Sequence, residues 1–169
     1  MKSLLFFAAY LFAFTTCYSQ DTSLFLRKPY KLSLVVDKSS VYEANLPASP
    51  YVGPKNTVQI YPGEKVYIEV EQHDRIIDKL TAVKEILHPE KTLTISFSHV
   101  VEKGVCKSSM LSVENPFPFK LVYGCMILDK NQHWSETDVY PVEAKLAGYE
   151  VWPYFIVSVA LARWSFVSK

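Results

Sequence analysis

Glycine is scarce in this chain, and so are cysteine and uninterrupted charge. Five glycines in 169 residues, with no Gly-x-Gly-x-x-Gly or Walker pattern, exclude a phosphate-cradling loop, which needs closely spaced glycines to bring backbone N–H groups onto a phosphate. The Gly-x-Ser-x-Gly elbow that exposes a catalytic serine is missing too, and Ser108-Ser109-Met110 has no signature around it. Net charge is +1, with no basic run longer than Arg27-Lys28. That excludes the basic stripe of a nucleic-acid binder and argues equally against electrostatic recruitment to a membrane. His73, His88, His99 and His133 have no partner at i+2 or i+4 and no cysteine at ligand spacing, so neither a metal nor another cofactor is expected.

Long apolar runs occur in two places only. The first follows Met1-Lys2-Ser3 and extends from Leu4 to Phe14, ahead of Thr15-Thr16-Cys17-Tyr18-Ser19. A charged start, a short apolar core and small residues at −3 and −1 make residues 1–19 a secretory signal peptide, too short to span a bilayer. Cleavage after Ser19 leaves Gln20 first and places the protein outside the cell, in the periplasm or at the cell surface. Lipidation of Cys17 fits less well, because Phe14 stands where such signals carry an aliphatic residue. The second run, Val151 to Ala162, holds Pro153 and Ser158 and falls short of the ~20 residues of a spanning helix. It reads as a core strand, and no transmembrane segment is expected in the mature chain.

Cleavage would also remove one of three cysteines. Cys106 and Cys125 remain, an even pair in an oxidising compartment, and a disulfide between them would contribute about 3 kcal/mol through loop closure.

What the chain does have is apolar and aromatic bulk. It is 49% hydrophobic and 14% aromatic, with eleven Tyr and ten Phe, a composition that folds rather than staying disordered. Ten prolines, all after residue 28, punctuate β-branched stretches. Strands are expected at 31–36, 57–61, 65–71, 92–97, 119–128, 139–143 and 154–166. The clearest is Lys65 to Glu71, where Val66, Ile68 and Val70 share one face. Asp129-Lys130-Asn131-Gln132 reads as a turn. Ile76 to Leu87 is ambiguous: Leu80, Val83 and Leu87 suit a short helix near 78–87, while its β-branched content suits a strand. Asp37 to Asn56, with three prolines and a glycine, reads as a long loop.

Together these features predict an all-β fold: one antiparallel β-sandwich of seven to nine strands over residues 20–169. The Pro62-Gly63-Glu64 turn feeding an alternating strand resembles an immunoglobulin-like secreted domain. No Trp lies between Cys106 and Cys125, so the Cys-Trp-Cys spacing of antibody domains is absent.

The candidate chemistry is thin. Glu69 and Glu71 would share a strand face about 6.5 to 7 Å apart, a separation compatible with an inverting glycosidase and equally with a solvated face. The aromatics stand out more. Tyr42 and Tyr51 fall in the long loop and Trp134 beside a polar turn, where such side chains give contact area at low entropic cost; Trp152 suits the core. The chain therefore reads as a non-catalytic binding module for a protein or glycan partner, with Tyr42, Tyr51 and Trp134 as candidate contacts. The alternatives are a small secreted carbohydrate hydrolase using Glu69 and Glu71, and a self-assembling structural component of the cell envelope.

Overall fold

The computed structural model of the protein describes residues 25–167; the leader at 1–19, Cys17 and the cleavage site lie outside the described residues. All strand pairings are antiparallel. One five-stranded sheet is built from β7 (Lys65–His73), β8 (Ile76–Val83), β9 (Thr92–Glu102), β10 (Val105–Glu114) and β13 (Ala147–Trp152), in the order β13-β10-β9-β7-β8. The other contains β5 (Val52–Gly53), β6 (Thr57–Ile60), β11 (Lys120–Leu128), β12 (Trp134–Thr137) and β14 (Ser158–Val167), in the order β12-β11-β14-β6-β5. A hairpin of β2 (Tyr30–Asp37) and β3 (Ser40–Leu46), and a short pair of β1 (Leu26–Arg27) with β4 (Ser49–Pro50), complete the set.

Period-2 alternation explains the core. Val66, Ile68 and Val70 of β7, Leu93, Ile95 and Phe97 of β9, and Leu111 and Val113 of β10 face Val58 and Ile60 of β6, Leu121 and Ile127 of β11, and Val159 and Leu161 of β14 in one buried cluster. Each such side chain contributes roughly 1.5–3 kcal/mol on burial. β14, apolar on both faces, takes the central position in its sheet, as its sequence suggests. A second cluster seats the β2–β3 hairpin: Leu32 and Leu34 pack with Leu128 and Val157, flanked by Tyr30, Tyr42, Tyr61 and Phe155.

The open edge at β8 is capped by a side chain. Asn56, in the left-handed region at φ 55, donates from Nδ2 to the Asp78 carbonyl (3.2 Å), and its Oδ1 accepts from the Leu80 N–H (3.1 Å). Its own carbonyl accepts from the Trp164 indole N–H at 2.9 Å. One amide thus ties the β8 edge to the facing sheet.

Several expectations change. Among the described residues there are fourteen strands rather than seven to nine. Residues 37–56 are not a loop but carry β3, β4 and β5, because β3 can pair with β2 across a tight Asp37–Ser40 turn, where the Asp37 carboxylate accepts from the Ser39 N–H and hydroxyl. The 78–87 segment forms no helix: Ile76–Val83 is β8, paired along β7, and leaves Leu87 exposed. Its β-branched residues find a ladder partner, and only Leu80 of the helical triad is buried. In place of a strand at 139–143 there is β12 at 134–137, followed by a crossover in which Val142 bridges Leu121.

The Cys106–Cys125 bridge is likewise corrected: both thiols are free. Cys106 lies on β10 and Cys125 on β11, strands of different sheets. Cys125 points into the core, fully buried, and burial pushes its thiol up to about 12.

His99 supplies a pH dependence. Its Nε2 donates to the Ile156 carbonyl at 2.8 Å, and its ring lies 5.0 Å from Phe155 and 6.0 Å from Phe97. Desolvation holds its pKa below 6.5, although the Ile156 bond works against that shift. The unfolded chain therefore binds the proton more readily. The stability that His99 contributes is complete above about pH 6.5 and is lost as pH falls from there through the lower folded-state value. Urea midpoints should drop between pH 7.5 and 5, and the drop should shrink in His99→Gln. An equal drop in that variant would assign the effect to other groups.

Candidate functional site

The alternation that buries Leu93, Ile95 and Phe97 turns Thr92, Thr94, Ser96 and Ser98 to the outer face of the β13-β10-β9-β7-β8 sheet. Register aligns Ala147, Glu114, Thr94 and Tyr67 in one row across four strands, with Tyr149, Ser112, Ser96 and Lys65 in the next. Across this face runs an open groove of about 620 Å³. Thr92 and Thr94 form its floor. Ile86, Pro89 and Glu90 rise on one side, and Pro116, Leu146 and Tyr149 on another.

Local chemistry sets each wall. After β8 the chain returns through a 3₁₀ turn at Pro89–Lys91, anchored where the Thr92 hydroxyl donates to the His88 carbonyl at 2.6 Å. The opposite wall hangs on Asn115, which is 2% exposed. Its Nδ2 donates to the carbonyls of Phe119, Val142 and Glu143 at 2.8–3.2 Å, and its Oδ1 accepts from the Phe117 N–H at 3.0 Å. Its backbone N–H reaches the Leu146 carbonyl. One side chain thereby fastens the 115–119 loop to the crossover that carries Leu146. Every polar atom of that side chain is engaged, so Asn115 shapes the groove without offering it a hydrogen bond.

Other groups remain available. Thr94 is 5% exposed, and among the described residues its hydroxyl has no hydrogen-bond partner. Glu90, Glu114 and Lys145, which also lines the groove, have no ion-pair partner among the described residues. Around them stand large exposed apolar side chains: Tyr149 (64%), Val151 (60%), Leu146 (59%) and Ile86 (41%). Tyr149 and Val151 share the outer face of β13, since Trp152 between the sheets is buried.

The residues singled out from the sequence lie elsewhere. Glu69 and Glu71 do share the outer face of β7, but each is tied to a base. Glu69 meets the His88 ring and Lys91, the latter at 3.7 Å, and Glu71 meets Lys79 at 3.4 Å. Neither lines the groove. Facing Glu69 across the ladder, Thr81 has a buried hydroxyl with no hydrogen-bond partner among the described residues. Tyr42 is half-buried under the hairpin, 6.2 Å from the Phe155 ring, and its hydroxyl contacts Gln132. Trp134 opens β12 and is 41% exposed. Tyr51 stands apart, stacked on Phe25 at 5.6 Å and covered by the Arg27 guanidinium at 4.5 Å.

Arg27 is the most densely bonded charge in the structure. It donates to Glu64 through Nε (2.6 Å) and Nη2 (3.0 Å), to Ser49 Oγ and to the Gln59 carbonyl. Its guanidinium also lies 4.9 Å from the Tyr61 ring centre. These contacts hold the first described residues against the Pro62–Gly63 turn, where Gly63 takes φ 92, a left-handed value that favours glycine.

Sequence reasoning missed the groove because its walls come from segments distant in the chain. The hydroxyl face of Thr92 to Ser98 was legible as the polar half of an alternating strand. Nothing local indicated that two loops would bury it. Among the described residues no three His, Cys, Asp or Glu side chains cluster as a metal site, and no helix is long and apolar enough to cross a membrane.

Compared with protein-family models, curated proteins and solved structures, the chain matches none.

Proposed function

We propose that this protein is a non-catalytic interaction module, exported or held in the cell envelope, with the layout of an immunoglobulin-like sandwich, and that its partner is a protein. One observation carries the reading: the exposed apolar side chains of Tyr149, Leu146 and Ile86 line an open groove that also holds unpaired polar groups, with Val151 exposed beyond Tyr149 on β13. Large exposed apolar side chains gathered around a depression mark interaction surfaces. Aliphatic side chains favour a protein partner over a glycan, because they bury well against another apolar surface and offer no hydrogen bond to a sugar. The carboxylates of the hydrolase reading, Glu69 and Glu71, are spent on neighbouring bases outside the groove. Trp134 remains a second candidate contact. Tyr42 and Tyr51 are better placed to hold the hairpin and the N-terminal segment.

The test is a photo-cross-linking amino acid placed at Tyr149 or at Trp134 in protein exported by its own leader. Irradiation should give a discrete protein adduct from position 149. An adduct from 134 alone would move the surface to β12, and an adduct of twice the monomer mass would establish self-assembly instead. No adduct from either position would overturn the reading.

A further inference from the structure

We propose that the groove on the outer sheet face is a docking site for a polypeptide segment that presents one Lys or Arg side chain flanked by apolar residues. The inference rests on the interaction-module reading and adds to it the place and chemistry of recognition. Three observations converge.

The first is the hydroxyl of Thr94. It is more than nine-tenths buried, lines the groove and has no partner among the described residues. Unlike the buried hydroxyl of Thr81, it keeps contact with water, so a ligand donor or acceptor that reaches it replaces that water at the groove.

The second is the charge around it. Glu114 stands directly across the ladder from Thr94, and Glu90 precedes Thr92 in the turn that forms the wall. On the neighbouring strand β7, Glu69 is occupied by His88 and Lys91 and Glu71 by Lys79, whereas Glu90 and Glu114 are without ion pairs among the described residues. Two carboxylates and a hydroxyl make the groove lining acceptor-rich, and Lys145 is the one lining cation among the described residues that opposes them. An ammonium or guanidinium group supplies donors and the complementary charge in one side chain, and charge-assisted hydrogen bonds of this kind are about twice as strong as neutral ones.

The third is the apolar walls. Ile86 with Pro89 on one side, and Leu146 with Tyr149 on another, flank the floor. They fit the residues on either side of an inserted basic side chain. A free diamine or a neutral oligosaccharide would leave them uncovered.

The experiment is selection of a random dodecapeptide phage library on the purified protein, followed by titration of the enriched peptides as synthetic, fluorescently labelled probes. The enriched sequences should share a Lys or Arg with Leu, Ile, Val, Phe or Tyr beside it. Binding should weaken at least ten-fold in Glu114→Gln and in Thr94→Val, both near-isosteric, and several-fold between 50 and 500 mM NaCl. Thermal midpoints of these variants verify that they remain folded. Peptides that bind equally well to both variants would overturn the groove as the site while leaving the interaction module intact. If no peptide is enriched, or the enriched set lacks a basic residue, the proposed occupant is wrong. Binding of neutral hexasaccharides that is insensitive to salt but lost in Glu114→Gln would replace the peptide with a glycan.

Discussion

Arg27→Ala should lower the unfolding free energy by about 3–5 kcal/mol, the range for removing one partner of a buried ion pair. Arg27 is 3% exposed and Glu64 is 11% exposed at the side chain. Burial opposes the guanidinium charge, but the bonds and Coulomb attraction from Glu64 outweigh it, and the pKa of Arg27 is raised. Truncation would leave the Glu64 carboxylate with the Tyr61 N–H at 2.9 Å and the Tyr30 hydroxyl at 3.2 Å, and with no neutralising charge. It would also remove the cation stacked on Tyr51 and Tyr61. Lysine should not rescue, since a single ammonium cannot reproduce a planar fork that reaches Glu64, Ser49 and Gln59 together. The pair Arg27→Met with Glu64→Leu should recover part of the loss by removing both charges. Equilibrium urea unfolding of the three variants measures this. A loss below about 1 kcal/mol for Arg27→Ala, the scale of a solvent-exposed ion pair, would show that the N-terminal segment contributes little to the fold.

Asn115→Ala is expected to cost about 3 kcal/mol, since leaving a single buried polar group unpaired already costs about 1–3 kcal/mol. Four backbone groups lose a hydrogen bond at once, the carbonyls of Phe119, Val142 and Glu143 and the N–H of Phe117, although the Val142 and Glu143 carbonyls keep those from the Leu121 and Leu146 N–H groups. The loss should be greater in Asn115→Asp, which turns a carboxylate towards three carbonyl oxygens. This residue also fastens the wall of the groove. Asn115→Ala should therefore weaken binding of groove-selected peptides even under conditions where circular dichroism shows a folded chain, without touching them itself. Urea unfolding gives the first quantity and peptide titration the second. Unchanged unfolding would mean that water replaces the amide at no cost.

Much of the sheet framework was legible in the sequence, and the reason is local. Lys65–Glu71 and Thr92–Phe97 alternate cleanly, and both lie in strands that bury one face. Pro62–Gly63 and Asp129–Gln132 turn where the chain has the residues for turning. The misreadings share a different cause. β10 runs Val105–Glu114 with three serines, and its register comes from β9 on one side and β13 on the other. β3 depends on pairing with β2, which a window of prolines and polar residues does not announce. The disulfide inference used cysteine parity and compartment, neither of which reports where the thiols lie: Cys125 is buried in the core, whereas Cys106 sits beside the 103–104 turn at the start of β10 with its Sγ on the Ser108 carbonyl. For the aromatic residues, the sequence showed position but not neighbours. Tyr42 and Tyr51 were conspicuous because they lay outside confident strands, yet the hairpin and Arg27 engage them. Tyr149, inside an unremarkable strand, is 64% exposed.

The amide of Asn56 has a colloidal consequence. A sheet edge displays alternating donors and acceptors at the spacing another chain needs to add itself, and such edges seed aggregation. On β8 the Asp78 carbonyl and the Leu80 N–H are occupied by one side chain that imitates a short strand, so a growing cross-β ribbon meets a stopper there. Ile76 and Ile77 lie just upstream on that edge, half-buried or exposed, and would otherwise make it adhesive. A single asparagine held in a left-handed conformation thus closes part of that edge to an incoming strand.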